Sequence, residues 1–174
     1  MRRRKSRDLL FVILIALLVI ILAYQAYRMM RPQASHADAE QMLYEVSLFQ
    51  IQVLNTSLLD TADAANTGDL DALKLAAYSA AFTHERLMKS LGKDKLYSFP
   101  ALNGLVESLT TWQIGGKRPL SDAEKELLGS YSEVFSGVVE PYQQLLSESG
   151  HVIASRNDEL ETAGKRLEAL VKGE

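Results

Sequence analysis

Three histidines, His36, His84 and His151, supply every imidazole of the chain, and each lies in a different segment. His84-Glu85 begins like the helical zinc-protease motif, in which a second His four residues on completes the metal pair; position 88 is Met, so that ligand is missing. Set on an apolar stripe, His84 reads instead as a core histidine whose ring nitrogens find hydrogen-bond partners. Asp60, Asp63, Asp69 and Asp71 cluster as calcium ligands do. No twelve-residue loop closing on a Glu surrounds them, so helix capping and solubility are their expected roles. Gly115-Gly116-Lys117-Arg118 lacks the upstream Gly and the hydroxyl residue of a phosphate loop. No Ser occupies a Gly-x-Ser-x-Gly turn, and Asn55-Thr56-Ser57 matches a glycosylation sequon but falls mid-helix. Cysteine is absent, which excludes disulfides, thiolate catalysis and cysteine-based zinc sites. The expectation is a chain without catalytic, cofactor or metal residues. Carboxylates meeting across two helices are the enzymatic alternative that spacing does not reveal.

Charge divides the chain in two. From Gln33 onward there are 12 basic against 21 acidic residues, a net −9, whereas residues 1–32 carry seven basic against one acidic, a net +6. An acidic domain is a poor fit to nucleic acid, whose binding needs cations against phosphates. Within that domain the pair Lys117-Arg118 stands out, and together with Pro141 it marks the expected partner-binding surface.

The elements that must position these residues begin with Leu9–Tyr27, an apolar run broken only by Gln25 and preceded by Arg2, Arg3, Arg4, Lys5 and Arg7. As a helix it spans about 28 Å, against a hydrocarbon core of about 30 Å. Five basic residues before the run and two after it, Arg28 and Arg31, predict a cytoplasmic N-terminus (1–8), a transmembrane helix (9–27), a juxtamembrane linker (28–34) and an extracytoplasmic domain (35–174) at the cell membrane. A cleaved signal peptide is the alternative, but Tyr24 stands where a small residue would mark cleavage. The basic n-region serves as the topology signal or binds anionic lipid.

Beyond the run every long segment has helical apolar spacing, and no alternating stretch reads as a strand. A first helix starts at Ser35, with Met42, Val46, Phe49 and Val53 as its apolar face, widened by Leu43, Leu54 and Leu58, and stops at Gly68. Asp69 caps a second that buries Leu70, Leu73, Ala77, Ala80, Ala81, His84, Leu87 and Leu91 and ends at Gly92. A third opens at Ser98 and Pro100, with Leu102, Leu105, Val106, Leu109 and Trp112 inside. The fourth starts on the capping box Ser121-Asp122-Ala123-Glu124 and runs through Tyr131, Phe135 and Tyr142, with a break near Gly137–Glu140 imposed by Pro141. The last covers Val152 to Lys172. Short connections make the expected fold all-α: an antiparallel bundle of four to five helices behind the membrane helix.

The order of apolar anchor, Ala39-Glu40 opening a long helix, a Ser98-Phe99-Pro100 break and Pro119-Leu120-Ser121-Asp122-x-Glu124 opening another helix resembles the amino-terminal region of YpeB-type spore germination proteins. The likeness covers about residues 9–146; the larger carboxy-terminal repeats of that family have no counterpart in the chain. It implies a noncatalytic membrane-anchored partner that stabilises or localises an envelope enzyme, and it transfers no functional residues.

The function expected from these features is a noncatalytic bundle that binds or scaffolds an envelope protein. Its partners are the lipid bilayer, that protein and, as a further option, a second copy of the chain. A sensory bundle is the alternative. With so few residues inside, it would have to signal through another membrane protein.

Overall fold

A computed structural model describes residues 15–25, 27, 33–147 and 149–173, and these form helices joined by turns and loops, without any strand among them. The chain forms two units, Met1–Asp38 and Ala39–Glu174. In the first, residues 15–25 are helical, with Ile15, Leu17, Leu18, Val19, Ile20, Ile21 and Leu22 all exposed. Residues 9–14 and 26 of the predicted transmembrane run, the basic residues before it and residues 28–32 of the linker after it lie outside the described residues. Among the described residues no helix is long and apolar enough to cross a membrane.

Helix α1 (Gln33–Leu59) is already formed two residues before Ser35 and ends well short of Gly68. From Ala39 onward it belongs to the second unit. Its buried face is Tyr44, Ser47, Ile51, Leu54 and Leu58, a set spaced three and four residues apart. Met42 at 67%, Val46 at 48% and Phe49 at 58% are exposed instead, which corrects the expected face. Two stripes of this helix have equally good spacing. The one carrying two polar atoms won, because Tyr44 and Ser47 find hydrogen-bond partners inside.

Two short 3-10 turns, Asp60–Asp63 and Thr67–Leu70, lead into helix α2 (Asp71–Leu91). The capping residue is Asn66, whose side chain accepts from Gly68 N–H at 3.0 Å. Asp69 serves as the returning carboxylate of that box, accepting from the Asn66 and Ala65 N–H groups at 3.0 and 3.1 Å. Those two backbone donors hold its carboxyl below the usual range, Asn66 first. All eight residues expected on the inner face of this second helix are buried.

Helix α3 (Pro100–Trp112) has Pro at its first position, where no N–H is needed. Phe99 before it lies in the left-handed region, φ 51°, a strained conformation for a residue with a Cβ. Its ring, 1% exposed, sits edge-on to His84 and stacks on Phe135, which holds it there. Helix α4 (Asp122–Ser136) starts on the expected capping box: Glu124 N–H donates to Ser121 Oγ, and Ser121 N–H to Glu124 Oε2. The expected break falls at Gly137–Val138. The chain resumes as helix α5 (Val139–Gln143), which puts Pro141 in a first turn where its missing N–H costs nothing. Helix α6 (Ala154–Lys172) packs on α3, α4 and α5, while α3 also packs on α2. Tyr97, in the loop before α3, lays its ring across Gly164 of α6 so closely that a Cβ there would lie 2.8 Å from the Tyr97 hydroxyl oxygen.

Candidate functional site

Lys117 and Arg118 lie in the loop from α3 to α4, and that loop is pinned to the turn before α2. Thr67 N–H donates to the Arg118 carbonyl at 2.8 Å, Arg118 N–H donates to Thr67 Oγ1 at 3.2 Å, and Leu120 N–H donates to the Ala65 carbonyl at 3.1 Å. Arg118 grips Glu124 with both ends of its guanidinium, Nη1 donating at 2.8 Å to Oε2 and Nη2 at 2.5 Å to Oε1. That pairing first, and the Ser121 N–H after it, hold the Glu124 carboxyl down at about 2. Lys117 lays its aliphatic stem against Gly68. Arg118 thus completes the start of α4.

Pro141 sits at the other end of α4, whose fifteen residues extend about 22 Å. The three expected partner-binding residues therefore do not form one surface. Pro141 is buried at the floor of a groove of about 630 Å³ between the α4–α5 break and α6, lined by Glu133, Val134, Asp158, Ala163 and Arg166 among others.

Ser47, Tyr142 and His84 form a polar chain through the core. Ser47 Oγ lies 2.6 Å from the Tyr142 hydroxyl, which is 2.9 Å from His84 Nδ1, and His84 Nε2 is 2.8 Å from the Tyr97 carbonyl oxygen. The end of the chain sets its direction. A carbonyl only accepts, so the imidazole proton is on Nε2 and Nδ1 accepts from Tyr142, which in turn accepts from Ser47. Burial pulls the His84 pKa down to about 4, against a smaller opposing pull from the Tyr97 carbonyl, so the ring is neutral near pH 7. Tyr44 adds a further tie, its single hydroxyl proton shared between the Tyr142 and Gln143 carbonyls at 2.9 and 2.7 Å at the end of α5. The types resemble a hydrolase, but the Ser donates to a Tyr, and Ser47 and Tyr142 are both 0% exposed. What the arrangement does is join α1, α2, α5 and the Tyr97 loop.

Asp71 accepts from Gln113 Nε2 at 2.8 Å, and Gln113 Oε1 accepts a hydrogen bond from the Lys74 ammonium, so this member of the acidic cluster serves the α2–α3 contact. Among the described residues no group of three or more His, Cys, Asp or Glu is placed to hold a metal ion.

A surface that no sequence motif marks lies on the outside of α2. Leu75 at 66%, Tyr78 at 59% and Phe82 at 45% are exposed, with the two rings stacked at 6.4 Å and the Arg86 guanidinium 4.8 Å over Phe82. The signal was present in the sequence. Once the Ala-rich stripe takes the inner face, Leu75, Tyr78 and Phe82 fall together on the opposite one, making the helix apolar on two sides. No family model, no curated protein and no solved structure matches the chain.

Proposed function

We propose that the protein is a noncatalytic, single-pass membrane-anchored bundle whose extracytoplasmic, antiparallel helices bind an envelope protein, and that its partner surface is the outer face of α2. The observation that carries this reading is the exposed Leu75, Tyr78, Phe82 and Arg86 group. Aromatic and arginine side chains supply most of the energy at protein interfaces, and stacking and cation–π contact hold them ready at low entropy cost. An exposed apolar face on a domain of net charge −9 marks a contact surface. Anchoring is supported by the Leu9–Tyr27 run and by residues 15–25, helical and exposed through their apolar side chains. The five-to-two basic asymmetry supports an extracytoplasmic domain. The resemblance to YpeB-type proteins implies a role of the same kind.

Crosslinking and co-purification from membranes tests the reading. Tyr78→Ala with Phe82→Ser should lower recovery of the partner about tenfold while leaving the melting temperature of the chain unchanged, since both side chains are exposed. Undiminished recovery with the fold intact sinks the α2 surface. Charge reversal at Lys117 is the control for the loop. Arg118 is unsuitable for that control because its loss opens the start of α4.

A further inference from the structure

We propose that the outer face of α1 is a self-association seam along which two copies of the chain pair in parallel and in register. Ala39, Val46 and Val53 alternate with Met42, Phe49 and Thr56 at the three- and four-residue steps of a heptad. The first set takes the a positions and the second the d positions. Of these, Met42, Val46 and Phe49 are 48% to 67% exposed, and Val53 is half-buried at the edge of the core. The stripe lies opposite the buried Tyr44–Leu58 face, so pairing disturbs nothing inside.

A second copy is the occupant this stripe fits best. Two of the three a positions, Val46 and Val53, are β-branched, which favours two parallel strands. The flanking positions suit self-pairing as well: Glu45 of one copy meets Gln50 of the other, an amide donor against a carboxylate, and no basic residue occurs anywhere in α1. In this register the acidic g positions Asp38 and Glu45 meet Leu43 and Gln50 of the other copy, so no like-charge g–e pair crosses the seam. The exposed parts of Met42, Val46 and Phe49 come to roughly 300 Å² per copy, below the ~800 Å² per partner of a standard stable interface. Pairing is accordingly weak and depends on both copies being held at high local concentration. The parallel orientation rests on the membrane-anchor reading, which brings every copy in from the same side.

The chain is free of cysteine, so one introduced thiol reports alone. The full chain is reconstituted in vesicles of phosphatidylcholine and phosphatidylglycerol and oxidised mildly. Met42→Cys and Phe49→Cys should each form disulfide-linked dimers about tenfold above Tyr78→Cys on α2, because facing d positions come within disulfide reach. Adding Val46→Glu should remove that excess while the melting curve stays put. Dimer yields at 42 and 49 no higher than at 78 overturn the seam. Crosslinking at only one of the two overturns parallel register, and dimers that survive Val46→Glu overturn the assigned face. Vesicle flotation separates the two readings. A chain that floats without crosslinking loses only the seam, and one that fails to float loses the anchor and the parallel pair with it.

Discussion

Helices α1 and α2 each carry two apolar faces, yet only in α2 does the choice between them follow from side-chain size. There the inner face is built largely of Ala, with Leu73, His84 and Leu87, and the outer one of Leu75, Tyr78 and Phe82. Small residues let neighbouring helices approach, so the bulky set is left outside. In α1 both faces are bulky, and the difference is polarity: the inner one includes Tyr44 and Ser47, and the outer one has no polar side chain between Met42 and Val53. The more polar face is buried. What distinguishes it is a partner, Tyr142, 95 residues further on for Ser47. A buried hydroxyl with a partner costs little, and a helix gives no local sign of having one.

The comparison predicts its largest effect within α1 itself. Leu54→Ala should cost about 2–5 kcal/mol in urea unfolding; a cost as small as that of an exposed residue would mean the inner and outer faces have been interchanged.

The second test is acid. Because burial lowers the His84 pKa, the unfolded chain takes its proton first as pH falls. The stability tied to a neutral ring is complete above about 6.5 and is lost progressively toward pH 4, amounting to about 3 kcal/mol. Unfolding free energies measured across that window should show this slope, and it should vanish in His84→Phe.

Tyr142→Phe, which leaves both Ser47 and His84 Nδ1 unpaired, should cost about 1–3 kcal/mol. A neutral outcome would mean that the core chain does not tie α1 to α2. Glu124→Ala, which removes the returning carboxylate of the α4 start and its Arg118 partner, should cost about 1 kcal/mol in thermal melts. At the small end, Phe49→Ala and Phe82→Ala should each change stability by less than about 0.5 kcal/mol, so that any loss of binding they cause is a loss of contact.

Local chemistry made much of this fold legible. The capping box at Ser121, Pro100 at the start of α3 and the break before Pro141 are all short-range devices, and each stands where its residues put it. The inner faces of α2 and α4 could also be read, since one stripe on each is plainly better for packing. The end of α1 was not legible, because Leu59 gives way to a 3-10 turn long before any Gly. Nor was the employment of Arg118. Its partner is six residues along the chain, on the far side of Pro119 and the cap, a geometry that exists only once the loop is paired with Ala65–Thr67. The α2 outer surface could have been found by asking what the second apolar stripe faces.

One missing methyl group reaches far into the molecule. Because α6 carries Gly at 164, the ring of Tyr97 can press against that helix, and the Tyr97 carbonyl of the same loop points at His84. That carbonyl selects which imidazole nitrogen keeps the proton, the choice orients the Tyr142 hydroxyl, and the hydroxyl in turn orients Ser47. The tautomer of a histidine on α2, and the way a serine on α1 points its proton, are thus inherited from an atom that α6 does without.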